Sequence, residues 1–217
     1  MKILVVGATG GSGQAAVKSL LAAGHEVTAF SRHADRLPAA ARLRRVNGDV
    51  LEPSAIDEAV RGHDAVVVTL GITENALRVR LLGSASTPLD VRSRGTRHTI
   101  AAMRRHGVRR LVVQTSFGVG DTRSRLPWLY RLMFGLLLKP QIADTEVQER
   151  EVRASGLDWV LVQPVNLTDA VLDDAPFASE QGDTRTMKVA RLQVGRFLAD
   201  AVQGKGFVGR SVALSGL

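Results

Sequence analysis

The sequence contains no cysteine, which excludes disulfides, thiolate metal ligands and a cysteine nucleophile. The same absence removes the usual sequence clue to the redox compartment. Aromatic residues make up only 4% of the chain, so few side chains are available for stacking on nucleic-acid bases. There is also no internal repeat, low-complexity tract or linker rich in proline and serine. A chain of 217 residues with these features fits one globular domain, and we predict no domain boundary within residues 1–217.

The formal charge of +8 would attract phosphate groups. The arginines occur in ones and twos between carboxylates, as at Arg44-Arg45 and Arg104-Arg105, rather than in one basic stripe. We therefore do not expect nucleic-acid binding, and we look instead for a phosphorylated small molecule. The five histidines lack metal-ligand spacing, so we predict no metal site.

One apolar stretch, residues 126–138, has some membrane character. It is about half the length that spans a bilayer, and it contains Arg131. We interpret it as a buried helix, with a substrate lid or a subunit interface as alternatives. The apolar run at residues 3–6 is too short for the core of a signal peptide. We expect no membrane span, a cytoplasmic location, and a monomer or weak homodimer.

Apolar runs of strand length alternate with helical patterns along the whole chain. Strands are predicted at residues 3–6, 26–30, 43–46, 65–69, 110–114, 159–162 and 211–214. Helices are predicted at residues 12–23, 53–61, 90–106, 145–155 and 189–203, each followed by a glycine that can end it: Gly24, Gly62, Gly107, Gly156 and Gly204. Parallel neighbours need crossover connections, so this alternation predicts an α/β, doubly wound parallel sheet with helices on both faces.

A glycine-rich loop, residues 7–13, joins the first strand to the first helix. It contains Gly7, Gly10, Gly11 and Gly13. Glycine permits positive φ and a close approach of the backbone to a pyrophosphate, which the free amides and the helix dipole attract. Thr9 and Ser12 can add hydroxyl donors. A structural turn is the alternative, but the strand and helix on either side favour a dinucleotide-binding loop and a single Rossmann domain.

Arginines follow the second strand at Arg32 and Arg36, where an NAD-specific site would place a carboxylate for the ribose 2′-hydroxyl. Guanidinium groups form charge-assisted hydrogen bonds with a 2′-phosphate, so the pattern favours NADP(H). The alternative is that both arginines are solvated surface residues.

Two further strand ends are expected at the same cofactor. Asp49 can accept a hydrogen bond from the adenine amino group, and Val50 offers apolar contact. Leu70 and Gly71 follow the fourth strand, where small residues let a cofactor lie against the backbone.

These motifs together resemble a known family. The chain is similar to the atypical short-chain dehydrogenase/reductases with a Gly-Ala-Thr-Gly loop, and most of all to the biliverdin-IX-beta reductase/flavin reductase group. The resemblance rests on residues 7–13, 24–28, 32–38, 48–51, 64–71, 101–103, 106–108, 115–116 and 155–157. It implies that NADPH is held by the residues just described, with the nicotinamide near Thr115, Ser116 and Pro164.

Orthodox short-chain dehydrogenases exchange a proton through a tyrosine four residues before a lysine. Here the only tyrosine is Tyr130, and Phe134 stands four residues later. The resembling group shares this departure, and its conjugated acceptors take a hydride and obtain the proton from solvent. Ser116 is then the best active-site hydroxyl, with a strand-end cap as the alternative.

Candidate substrate contacts are Phe117, Trp128 and Asn166. Asn166 stands where the family member carries a histidine, and it cannot donate a titrating proton near neutrality, which argues against biliverdin itself. Asp144 and Glu146 are interpreted as acidic residues in the first turn of their helix, where they favour the dipole, rather than as substrate contacts.

Two functions from different classes remain open. The first is a reductase that passes hydride from NADPH to a flavin, quinone or tetrapyrrole-like acceptor, mainly by positioning it. The second is a non-catalytic NADP(H) sensor that binds a protein partner. The arginine-rich loop at residues 73–88 could gate a substrate in the first case or contact the partner in the second.

Overall fold

The computed structural model describes residues 1–72, 87–126, 139–172 and 174–217. Within these residues, strands β1 to β10 are Lys2–Val6, Glu26–Ser31, Leu43–Asn47, Ala65–Val68, Arg110–Gln114, Asp158–Pro164, Asn166–Thr168, Phe177–Ser179, Lys188–Ala190 and Arg210–Ser215. Helices α1 to α5 are Gly11–Ala22, Pro53–Val60, Val91–His106, Lys139–Arg153 and Arg191–Gln203. The expectations for Trp128, for residues 73–86 and for residues 127–138 lie outside the described residues.

Eight strands form one sheet in the order β3-β2-β1-β4-β5-β6-β10-β8. The first seven strands in this order pair in parallel, and they are the seven predicted from the sequence. The doubly wound α/β prediction is therefore confirmed. β8 adds an antiparallel edge, while β7 and β9 pair in a separate two-stranded sheet. Each of these unpredicted strands has only three residues, too few to show a period.

Both faces of the central strands are buried, because successive side chains enter two different cores. Ile3 and Val5 of β1 join the core beneath α1 and α5, whereas Leu4 and Val6 join the core beneath α2, α3 and α4. All four side chains are at most 1% exposed. Strands covered on both sides are apolar at every position, which is why the sequence shows unbroken apolar runs rather than alternation.

The helix ends follow the glycine signals with one exception. Gly24, Gly62, Gly107 and Gly156 all adopt positive φ, as predicted. Gly204 caps α5 with a φ of −77°, so the expectation of a left-handed cap is wrong there. Two starts also differ from the prediction. The described part of α4 already includes Lys139, ahead of the predicted start at 145, and α5 begins at Arg191 because residues 188–190 pair with β7.

Helices α1 and α5 pack against each other at a glycine. A Cβ placed on Gly195 would lie 2.5 Å from the carbonyl carbon of Ala15, so the two backbones touch with no room for a side chain. This contact fixes the position of α5 relative to the glycine loop that precedes α1.

Among the described residues, no helix combines the length and apolar character needed to cross a membrane.

Replacing Gly195 with valine tests the close packing of α1 and α5. The added side chain would meet the rigid Ala15 backbone, so we expect the free energy of unfolding to fall by about 1–3 kcal/mol in urea titrations. Gly206→Val is the control, because a Cβ at Gly206 meets nothing within 4 Å. Equal stability of the two variants would contradict the packing argument.

Candidate functional site

A cleft of about 670 Å³ opens at the carboxyl ends of the central strands. Strand order reverses between β1 and β4, and this switch point is where open α/β sheets bind ligands. The cleft is lined by eleven of the predicted cofactor residues: Gly7, Thr9, Gly10, Gly11, Ser12, Arg32, Arg36, Asp49, Val50, Leu70 and Gly71. Four separate chain segments therefore meet as the sequence predicted.

The glycine loop is held by contacts between backbones. Gly7 has a φ of +83°, and a Cβ there would lie 2.8 Å from the Thr69 carbonyl oxygen of the chain after β4. Its amide donates to the Phe30 carbonyl oxygen at 3.0 Å, which ties the loop to β2. A Cβ on Gly13 would overlap the Gly7 carbonyl oxygen. The described lining of the cleft does not include Gly13. The absence of a side chain at Gly13 lets the start of α1 lie against the Gly7 carbonyl.

The first turn of α1 faces the cleft with its amides available. First-turn amides have no acceptor within their own helix, and Gly10 at the N-cap has no side chain to provide one. Gly11 and Ser12 also line the cleft. The helix dipole adds positive potential at this end, so the loop fits an anionic group such as a diphosphate.

Arg32 and Arg36 lie on the exposed side of the same cleft, beyond β2. Arg32 Nη2 donates a 2.9 Å hydrogen bond to Thr87 Oγ1, which links the end of β2 to the segment before α3. Ser31, only 9% exposed, lines the cleft beside them, and its hydroxyl has no hydrogen-bond partner among the described residues. A hydroxyl that lines the same cleft as two arginine side chains fits a phosphate group.

The floor between these two anionic subsites is apolar. Val50 and Leu70 are both less than 10% exposed. They close over Gly95 of α3, where an added Cβ would lie 2.7 Å from Leu70 Cδ1. Asp49 is half-buried, and its Oδ1 accepts from the Leu51 amide at 2.9 Å. This turn leaves the other carboxylate oxygen, Oδ2, for the predicted adenine contact.

Arg92 and Asp144 form a charged support for the fourth strand end. Arg92 lines the cleft, and its Nη1 donates to the Leu70 carbonyl oxygen at 2.8 Å. Burial lowers the pKa of the Arg92 guanidinium from its usual value, while the Asp144 carboxylate acts in the opposite direction. The group stays positively charged at neutral pH.

Asp144 accepts hydrogen bonds from the first-turn amides of α3. Its two carboxylate oxygens lie 3.0 Å from the Arg92 nitrogen and 3.2 Å from the Ser93 nitrogen. The expectation that Asp144 and Glu146 occupy the first turn of their own helix is wrong, because the described part of α4 already includes Lys139. Asp144 caps a different helix, and Glu146 pairs with Arg123 at 3.0 Å.

The residues predicted near the nicotinamide lie at the ends of β5 and β6. Ser116 is half-buried and donates to the Phe117 carbonyl oxygen at 3.2 Å, whereas the Phe117 amide donates to the Pro164 carbonyl oxygen at 3.0 Å. Asn166 is exposed. The described lining of the 670 Å³ cleft includes neither these residues nor Thr115, so their roles stay predictions.

Thr115 points into the protein rather than towards the cleft. Its hydroxyl donates to Glu149 Oε1 at 2.8 Å, in a site where the Glu149 side chain is 1% exposed. Gln163 Nε2 donates to the same oxygen at 2.8 Å, and Arg153 pairs with the other oxygen at 3.1 Å. This buried network holds the ends of β5 and β6 together beneath Ser116.

Sequence reasoning missed several cleft residues. Gln114 ends β5, and its buried side-chain amide oxygen, Oε1, has no hydrogen-bond partner in the described part of the chain. A polar residue closing an apolar run was a readable signal. Leu167 and Arg191 also line the cleft, but they come from the far end of the chain and no local pattern marks them.

In the ranges that the structure describes, no three histidine, aspartate or glutamate side chains gather as a metal site would require.

Comparison with known proteins gives one family match and several similar folds. The sequence model of a family described as NAD(P)H-binding matches residues 7–205. A 2-alkyl-3-oxoalkanoate reductase of Stenotrophomonas maltophilia is 38% identical over 113 residues, which are 52% of this chain and 32% of that protein. This chain therefore spans about a third of the length of that curated relative.

Two solved structures illustrate the fold. A short-chain dehydrogenase/reductase of the wide type from Veillonella parvula, in complex with NADP, superposes with a TM-score of 0.81 at 17% identity, covering 100% of this chain and 94% of that one. The anaerobilin reductase ChuY of Escherichia coli O157:H7 gives 0.74 at 21% identity, covering 99% and 96%. At these identities the likeness concerns the fold alone.

Substituting Asp144 tests whether it supports the cleft through α3. Asp144→Ala leaves the Arg92 and Ser93 amides without their acceptor, so we expect about 1–2 kcal/mol less stability in chemical unfolding. Glu146→Ala, two residues along α4, removes only a partly exposed ion pair and should cost less than about 0.5 kcal/mol. Equal losses in both variants would refute the capping role.

Proposed function

This chain belongs to the NAD(P)H-binding family, and from that premise we propose that it is an NADPH-dependent reductase acting on a conjugated acceptor such as a flavin, a quinone or a tetrapyrrole-like molecule. The observation that carries the proposal is the cleft at the switch point, where the glycine loop and the arginines after β2 line one cavity. The reductase named among the relatives supports the reaction class, and the anaerobilin reductase among the fold neighbours is consistent with a conjugated acceptor.

The residues present fit the cofactor at both of its anionic parts. The cradle around Gly7 and Gly13, which an added Cβ would fill, lets the diphosphate approach the amides of α1. The Ser31 hydroxyl, which has no hydrogen-bond partner among the described residues, can join Arg32 and Arg36 as a donor to a 2′-phosphate. Bound NADPH would supply the hydride, and the remaining chemistry depends on this chain's own side chains.

The side chains proposed for the acceptor site bind and orient the acceptor, and they do not exchange a proton with it. With Phe134 four residues after Tyr130, the usual tyrosine and lysine proton donors are missing from the sequence. Ser116 offers a hydroxyl at the end of β5, and Asn166 offers an amide at the start of β7. Both can hydrogen-bond an acceptor or the nicotinamide carboxamide without changing charge. A conjugated acceptor fits this chemistry because the proton that completes its reduction can come from solvent.

The double variant Arg32→Ala/Arg36→Ala tests the cofactor preference. Losing the guanidinium contacts to the 2′-phosphate should raise the dissociation constant for NADPH by about tenfold or more, while NADH binding changes little. Isothermal titration calorimetry measures both. Arg61→Ala/Arg150→Ala is the control, because it removes the same charge from exposed positions outside the described cleft lining. Equal weakening of NADPH and NADH would refute the assignment.

Steady-state assays separate the reductase from the second candidate, a non-catalytic NADP(H) sensor, which the absence of the tyrosine and lysine pair suits equally well. We expect the chain to oxidise NADPH repeatedly with at least one member of a panel of flavins, quinones and linear tetrapyrroles, as followed by absorbance of the reduced nicotinamide. A variant with Ser116→Ala should turn over more slowly without losing NADPH affinity. Tight NADPH binding with no oxidation by any acceptor would favour the sensor.

A further inference from the structure

An arginine from the distant helix α5 lies over the glycine loop. A Cβ placed on Gly11 would be 2.7 Å from both Cδ and Nε of Arg191, so the arginine stem rests directly on the loop backbone. Both residues line the 670 Å³ cleft. From this position we infer that Arg191 binds the diphosphate of the dinucleotide, an inference that rests on the proposed function.

The packing of α1 and α5 fixes this placement. Gly195 contacts Ala15, and one turn earlier on each helix Arg191 contacts Gly11. The same four-residue step on both helices means that they run side by side in the same direction. Their N-termini therefore lie together at the cleft, and Arg191 is the first residue of α5.

This is an unfavourable place for a cation unless an anion joins it. Helix N-termini carry partial positive charge, so an arginine there is opposed by the dipole of its own helix and by that of α1. Neither helix has an acidic residue in its first turn. A diphosphate at this point would be attracted by all three positive groups, the two helix N-termini and the Arg191 guanidinium.

One carboxylate partly offsets the charge and positions it. Arg191 Nη1 donates to Asp169 Oδ1 at 2.5 Å, and the Asp169 side chain is 88% exposed. Thr168 and Ala190 are paired between β7 and β9, so Asp169 and Arg191 follow from adjacent strand ends. This bond uses Nη1, while Nε lies beside Gly11 on the side of the loop.

The arrangement separates two phosphate-binding tasks. Arg32 and Arg36 lie beyond β2, at the predicted 2′-phosphate, whereas Arg191 lies over the first turn of α1 at the diphosphate. A ligand that has the 2′-phosphate but lacks the diphosphate separates the two tasks. The nucleotide 2′-AMP is such a ligand, because it carries a 2′-phosphate and no diphosphate.

The experiment measures NADPH and 2′-AMP binding to the full chain by calorimetry, and thermal unfolding with and without NADPH. For Arg191→Ala we expect NADPH to bind about tenfold or more weakly and 2′-AMP to bind within about twofold of the unchanged chain. The ligand-free melting temperature should not fall, because the removed cation opposes two helix dipoles. Arg191→Lys should bind NADPH with intermediate affinity, since it keeps the charge and loses the planar fork.

Arg196→Ala is the matched control, because Arg196 lies on the same helix and outside the described lining of the cleft. It should leave both affinities unchanged. Unaltered NADPH affinity in Arg191→Ala, or equal weakening of 2′-AMP, would overturn the assignment while leaving the proposed function standing. Failure of the unchanged chain to bind either nicotinamide nucleotide would instead overturn the proposed function, and this inference with it.

Discussion

The site depends on the close approach of the glycine-loop backbone to its neighbours, which leaves no room for side chains on the loop glycines. Gly7 touches the carbonyl after β4, Gly13 folds onto Gly7, and Gly11 lies beneath Arg191. Any side chain at these points would displace a backbone or the arginine. Because the loop lies so close to β4, the first-turn amides of α1 lie at the point where the strand order reverses. The ends of β2 and β4 can contact the same ligand there.

Positive charge is concentrated in the cleft more than the overall composition suggests. The net charge of +8 is spread over the chain, yet four arginines line this one cavity: Arg32, Arg36, Arg92 and Arg191. They have different tasks. Arg92 donates to the Leu70 carbonyl oxygen and supports the chain after β4, whereas Arg32, Arg36 and Arg191 are the arginines that we propose for the anionic groups of the ligand. Arginines with such different tasks are not interchangeable, although their chemistry is the same.

Buried carboxylates on α4 organise the other side of the site. Asp144 caps α3, and Glu149 gathers Thr115, Gln163 and Arg153 beneath the ends of β5 and β6. A buried acid is costly unless every oxygen is satisfied, and here each carboxylate has at least two donors. The network fixes Thr115, which directly precedes the half-buried Ser116 after the end of β5.

The sequence by itself determined the seven main strands, the doubly wound architecture, the glycine loop and the arginines after β2. These signals are local: apolar runs report burial on both faces, and a loop between a strand and a helix reports its own conformation. Only the tertiary structure decided that Asp144 accepts from α3 amides 51 and 52 residues away in the chain, that the Thr115 hydroxyl faces inward, and that Arg191 rests on Gly11. Contacts between distant segments depend on how the helices pack. A local sequence pattern shows that a residue is buried, but it does not show which distant residue it contacts.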